Sequence, residues 1–264
     1  MNSLRIFSYL PNPRLAKATI TARLCGVALD IRGAAPEELS RWLWDYDAHP
    51  LTDDERERLA YLAQPAKTGF TRPLYKTLQF SRAHPFGTVP AAFGPDGEPG
   101  IFESNSIMRA VARLGDGRVE LYGEDPYRAS RIDSFLDASL LFARDTQIYV
   151  LQLRAGQMSP EIHTSTRRAF ETYMGGIDRA LGCGARFIVG EGLTLADICY
   201  VTELALFHSE FAHAELLKTC GLAPILGDDA RRDFPRAFEH YDYLSTHEAV
   251  APDLQPYLRH FTSH

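Results

Sequence analysis

At 264 residues, 45% hydrophobic and 23% charged, the chain is long enough for one large domain or two ordinary ones and apolar enough for a real core. Its formal net charge of -6 leaves no basic stripe for phosphates, so nucleic acid is not expected as a partner. No apolar run approaches the length of a membrane span, and the start, Met1 to Phe7, is too short and strand-like for a signal peptide. Cys25, Cys183, Cys199 and Cys220 have neither metal nor CxxC spacing and read as reduced thiols. A soluble cytoplasmic protein without a metal centre is the expectation.

Leu4 to Tyr9 alternates as a first strand. It stops at Leu10-Pro11-Asn12-Pro13, where Asn12 is placed to cap a helix and Pro13 to open it. That helix, Arg14 to Leu24, carries Leu15, Ala18 and Ala22 and closes at Cys25-Gly26, with glycine suited to the C-terminal cap. Val27 to Ile31 is a second strand, and strand, helix, strand at this spacing makes the two strands parallel.

The next segment, about 34–77, is far longer than a simple connection. One helix is expected from Pro36-Glu37-Glu38 onward, carrying Leu39, Trp42 and Leu43. A second opens with Thr52-Asp53-Asp54-Glu55, a capping box with acidic residues set against the helix dipole. Gln64 to Tyr75 is rich in Pro, Gly, Thr and Lys and reads as a loop. Insertions of this length are usually functional or mobile.

Gly87-Thr88-Val89-Pro90-Ala91 is then a strand with proline at its start, Pro95-Asp96-Gly97 a turn, and Ile101-Phe102 a second strand. The peptide before Pro90 is expected to be cis. Val89 then keeps its N–H and C=O free to pair with an extended ligand. Glu103 and Ser104 add an acceptor and a hydroxyl at the mouth of an apolar helix, Ser104 to Leu114, whose N-terminus attracts a carboxylate.

Beyond Gly115-Asp116-Gly117 strand signals are nearly absent. Helical patterns run at about 126–153, 160–181, 195–207 and 234–246, an all-helical second domain. Within it, Thr194 can cap the amide three residues on while Asp197 reaches back to the Thr194 N–H, a box worth about 0.5–2 kcal/mol and no chemistry. His163, His208, His213 and His240 have no metal spacing and read as helix-face or surface residues. Phe135, Phe142, Tyr149 and Tyr173 fall at helical spacing; most are expected in the core, with a few lining an apolar pocket.

The Val-Pro and Glu-Ser elements resemble the glutathione-binding half of the thioredoxin-like domain in glutathione transferases. Phe187-Ile188-Val189-Gly190 through Leu193-Thr194-Leu195-Ala196-Asp197 resembles the N-capping motif of their helical domain. Within that superfamily, Tyr9 to Arg14 leading to Lys17-Ala18, with the Phe-Glu-Ser-Asn-Ser-Ile run from Phe102, looks most similar to the transferase-like domain of the elongation factor gamma subunit.

The resemblance implies an α/β thioredoxin-like domain over 1–115, with the insertion at about 34–77, followed by an all-α substrate-side domain over 124–264. It implies glutathione as cosubstrate, a small apolar electrophile, a homodimer and a detoxification role. By the same resemblance, Val89 and Pro90 bind the cysteinyl backbone, and Glu103 and Ser104 hold the γ-glutamyl end. Thr88 stands where many members carry Lys, Gln or His; it can donate one hydrogen bond but no charge, so ligand binding is expected to be weaker or to be shared with Lys76, Arg82 or His84.

The thiol-activating group falls in the window of Ser8, Tyr9 and Asn12, since the familiar cysteine or serine near the helix start is missing. Arg14 is placed for the glycyl carboxylate or for solvent. The alternative the resemblance carries is a non-catalytic interaction module.

Overall fold

The computed structural model describes residues 3–66, 69–117 and 119–261. It divides into two compact units, Met1–Val119 and Glu120–His264.

In the first unit, Leu4, Ile6 and Phe7 bury the centre of β1 (Ser3–Tyr9). Helix α1 (Pro13–Cys25) starts on the Asn12 cap and stops at Gly26, which is left-handed at φ 68°. Strand β2 (Ala28–Ala34) returns parallel to β1, pairing Ser8 with Gly33. A Cβ on Gly33 would fall 1.7 Å from the Ser8 carbonyl oxygen, so only glycine lets the two backbones approach this closely.

The segment at about 34–77 is a structured second sheet. Its elements are β3 (Trp42–Trp44), β4 (His49–Pro50), helix α2 (Asp53–Arg58), β5 (Ala63–Gln64) and β6 (Leu74–Lys76), with strand order β4-β3-β6-β5. Helix α2 begins on the expected Thr52–Glu55 capping box. The helix expected from Pro36 is not formed. Residues Leu39–Arg41 make one 3-10 turn, and Trp42-Leu43-Trp44 is extended. Trp44 explains this: it is fully buried against Phe7, Phe80 and Phe70, with its indole N–H on the Leu39 carbonyl at 3.0 Å. Aromatic residues on a pleated, half-buried surface favour strand over helix. The loop expected over Gln64 to Tyr75 likewise ends in β6, which pairs with both β3 and β5. Arg5 joins the two sheets through Asp30 and Asp47, and its guanidinium lies 4.0 Å over the Tyr46 ring.

Helix α3 (Leu78–Ala83) leads to the hairpin β7 (Ala91–Phe93) and β8 (Gly100–Phe102), then to α4 (Ser104–Leu114). The main sheet runs β2-β1-β7-β8, with β7 antiparallel to both neighbours. This is the βαβ then ββα order of a thioredoxin-like domain.

The second unit is helical: α5 (Pro126–Arg154), α6 (Pro160–Ala180), α7 (Leu195–Phe207), α8 (Ala214–Thr219), α9 (Asp228–Asp233), α10 (Pro235–Thr246) and α11 (Ala251–Leu258). Every residue of α7 is buried, packed among α5, α10 and α11. Phe142 stacks on Tyr173 at 4.8 Å and on Phe207 at 5.7 Å, and Tyr149 stacks on Phe207, so these aromatics are core. Phe135 lines an open groove of about 440 Å³ between α5 and α6, with Leu141, Arg144, Arg168 and Thr172, and the buried Phe142 and Tyr173 also border it. No described helix is long and apolar enough to cross a membrane.

Buried polar groups in this unit are held by partners both near and far along the chain. Asp197 Oδ2 accepts from the Thr194 amide and hydroxyl, each at 2.8 Å. Its Oδ1 accepts from the Ile188 amide at 2.9 Å and from His240 Nε2 at 2.8 Å. Glu210 accepts from the Tyr149 hydroxyl and from the Ile225 and Leu226 amides; burial pushes its carboxyl above the ordinary range. His163, His208 and His240 are packed inside, against the expectation of helix-face or surface histidines.

Candidate functional site

Sheet register gathers the candidate residues at one end of the first unit. Phe7 pairs with Ala91, and Ala91 with Phe102. The residues just beyond these pairs, Ser8 and Tyr9, Val89 and Pro90, Glu103 and Ser104, therefore lie at the same sheet end. Asn12 and the start of α1 follow directly from the first pair.

The Val89–Pro90 peptide is cis. Val89 precedes the ladder, and neither its N–H nor its C=O has a hydrogen-bond partner among the described residues. A free donor and acceptor on one residue at a strand end are what an extended peptide needs for β-type pairing. The turn before it is fixed from two sides. Lys76 Nζ donates to the Gly87 carbonyl at 2.6 Å, and the Gly87 amide donates to His84 Nδ1 at 3.1 Å. Burial holds the His84 imidazole below its usual pKa, so it stays neutral and can accept that bond. Lys76 and His84 thus shape the loop from within, while Thr88 and Arg82 are exposed.

Glu103 is exposed and adopts φ 65°, ψ 123°, the one positive φ among described non-glycine residues. Such a conformation costs on the order of 1–3 kcal/mol and persists where the surroundings impose it, often at binding sites. Its side chain does not cap α4, so the first-turn amides are not satisfied by that carboxylate. Ser104, the first residue of α4, is buried, with 8% exposure. Lys17 of α1 is 1% exposed and donates to Ser104 Oγ at 3.2 Å and Asn105 Oδ1 at 2.7 Å. The sequence placed Lys17 in the family resemblance but gave it no role; a charged residue on a helix that packs into the core is the signal that could have assigned one.

Asn12 caps α1 as expected: its Oδ1 accepts from the Arg14 amide at 2.9 Å. Its Nδ2 donates to Ser8 Oγ at 3.0 Å, and Ser8 is fully buried. One Asn12 N–H and the Ser8 O–H are left without an acceptor among the described residues. Tyr9 is half-buried against the aromatic core around Phe7 and Trp44, and Arg14 is half-buried in the first turn of α1.

No family model matches the chain. Among characterised proteins it is 32% identical over 155 residues to "Probable elongation factor 1-gamma 1" of Arabidopsis thaliana, covering 53% of this chain and 36% of that protein. It is 33% identical over 128 residues to "Glutathione S-transferase-like protein FUS3" of Gibberella fujikuroi, covering 47% of this chain and 59% of that protein. The match thus spans about a third of the first relative's length and under two thirds of the second's.

Solved structures match over nearly the whole chain at low identity. A glutathione S-transferase-like protein from Lodderomyces elongisporus aligns with TM-score 0.66 at 16% identity, covering 96% of this chain and 95% of its own. A glutathione S-transferase from Methylobacterium radiotolerans, in complex with glutathione sulfonate, aligns with TM-score 0.60 at 18% identity and the same coverage. The chain therefore has the glutathione transferase fold, a thioredoxin-like α/β domain followed by an all-α domain, and its sequence likeness runs to elongation factor 1-gamma and glutathione S-transferase-like proteins.

Proposed function

We propose that the chain binds glutathione at this sheet end and activates its thiol for attack on a small apolar electrophile, by conjugation or by glutathione-dependent bond cleavage. The observation that carries this reading is the unpaired N–H and C=O of Val89, set by sheet register at the same end as the Ser104 hydroxyl and the start of α4. Val89 would pair with the cysteinyl backbone beside Pro90. The γ-glutamyl carboxylate would accept from the Ser104 hydroxyl and the α4 N-terminus, while Glu103 would accept from its ammonium. The remaining Asn12 N–H, the Ser8 hydroxyl and the α1 N-terminus would stabilise thiolate. Tyr9 and Arg14 are secondary candidates, for the sulfur and the glycyl carboxylate. The protein supplies positioning and a lowered thiol pKa. A homodimer, a cytoplasmic location and a detoxification role complete this reading.

A second reading, a non-catalytic interaction module, is favoured by the likeness to elongation factor 1-gamma proteins and by the missing cysteine or serine at the start of α1. Calorimetric titration with glutathione separates the two, with Ser104→Ala as control. A hydrogen bond to a charged group is worth about 1.5–3 kcal/mol, so Ser104→Ala should weaken binding about ten-fold or more. An unchanged Kd would remove Ser104 from the site, and no binding by the wild type would favour the interaction module.

A further inference from the structure

We infer that Lys17 is a positioning residue that fixes which way the Ser104 hydroxyl points, and thereby makes Ser104 a dedicated donor to the ligand carboxylate. The inference rests on the glutathione reading above. A serine hydroxyl can either donate or accept, and a free one samples both roles. A lysine ammonium only donates. With Lys17 Nζ 3.2 Å from Ser104 Oγ, the oxygen must accept, and its own hydrogen must turn elsewhere. No other hydrogen-bond partner of Ser104 Oγ occurs among the described residues. Ser104 retains 8% exposure at the start of α4, and the hydrogen is left for an acceptor arriving from outside.

The second lysine bond makes this arrangement rigid. Asn105 Oδ1 accepts from the same ammonium at 2.7 Å, so Lys17 is held by two successive residues of the first turn of α4. The α1 backbone beneath it is held too, since the Thr21 hydroxyl donates to the Lys17 carbonyl at 2.7 Å. The hydroxyl is thus oriented before the ligand arrives, and binding has less rotational freedom to remove. Lys17 itself, 1% exposed, does not reach the ligand and acts through Ser104.

The test is a double-mutant cycle on glutathione affinity, using wild type, Lys17→Met, Ser104→Ala and the double variant, each first shown to be folded. Lys17→Met should weaken glutathione binding about ten-fold when Ser104 is present and less than two-fold when it is alanine. A purely structural role for Lys17 would weaken both backgrounds equally, and that result overturns the inference. The dipeptide cysteinylglycine, which lacks the γ-glutamyl carboxylate, supplies a second readout: its affinity should be the same for wild type and Lys17→Met. A parallel loss for both ligands would also overturn it.

Should Lys17→Met not fold, Lys17→Gln enters the same cycle. Glutamine can accept from the hydroxyl as well as donate to it, so a loss of about three-fold or more is expected, again only with Ser104 present; additive losses count against the inference. If wild type binds glutathione and the Lys17 variants bind as well as it does, this inference fails alone. If wild type does not bind glutathione, the proposed function fails and takes the inference with it.

Discussion

Replacing Asp197 by alanine should destabilise the protein by about 3–5 kcal/mol, well above the ~0.5–2 kcal/mol of an ordinary helix cap. The carboxylate is fully buried and accepts four hydrogen bonds, only two of them from the capping Thr194. Without it the Thr194 amide, the Ile188 amide and the His240 ring N–H all lose their acceptor in a dry interior. Each buried orphan costs on the order of 1–3 kcal/mol, and partial relaxation keeps the total below the simple sum. Urea denaturation of wild type and variant measures the difference directly. A loss under about 1 kcal/mol would mean that the Ile188 and His240 contacts contribute little. Glutathione affinity of the folded variant should be unchanged, because Asp197 lies in the helical unit and serves its folding.

Acid should destabilise the fold through His208. Burial lowers its pKa from 6.5 to about 4, while its Nδ1–H donates to the Leu204 carbonyl at 2.9 Å. A histidine held neutral in the native state binds its proton first in the unfolded chain. Stability attributable to it is therefore present above pH 6.5 and is lost as pH falls toward 4. By linkage the loss between pH 7 and pH 5 is about 2 kcal/mol. Glu210 opposes this, since its raised pKa lets the native state take a proton before the unfolded one. The contribution of His208 is isolated by comparing the pH dependence of wild type with that of His208→Asn, whose amide can keep the bond to Leu204. Wild type should lose about 2 kcal/mol more than the variant over that interval. Parallel curves would show that His208 titrates normally.

What the sequence made legible was mostly local. Asn12 before Pro13, Thr52 before Glu55 and Thr194 before Asp197 announce helix starts through bonds spanning two or three residues, and each is present. The Val-Pro and Glu-Ser elements stood out because proline and a polar pair at a helix mouth are unusual inside an apolar pattern.

Non-local contacts were not legible. Leu39, Trp42 and Leu43 have helical spacing, yet Trp44 is claimed by Phe7 and Phe80 and pulls the segment into a sheet. β6 cannot be read from its own three residues, because its pairing partners lie in β3 and β5. His240 reaches Asp197 across 43 positions, and Lys17 reaches Ser104 across 87. Such contacts leave no periodic trace. They follow from which surfaces the topology brings together, and the helices α8, α9 and α11 were too short for periodicity to reveal.

The central claim is that this sheet end binds glutathione and lowers its thiol pKa, and thiolate absorbance of the bound ligand against pH tests it most directly. A free thiol ionises near pH 8.5. Bound to the wild-type protein, glutathione should show substantial thiolate near neutral pH. Asn12→Ala should move the titration upward by about one pKa unit or more, since a contact to an ionised group is worth about 1.5–3 kcal/mol and one unit corresponds to 1.36 kcal/mol. Tyr9→Phe distinguishes the hydroxyl at the strand end from the amide at the helix start. Bound glutathione that stays protonated near neutral pH in the wild type would contradict the account and leave the interaction module as the better reading.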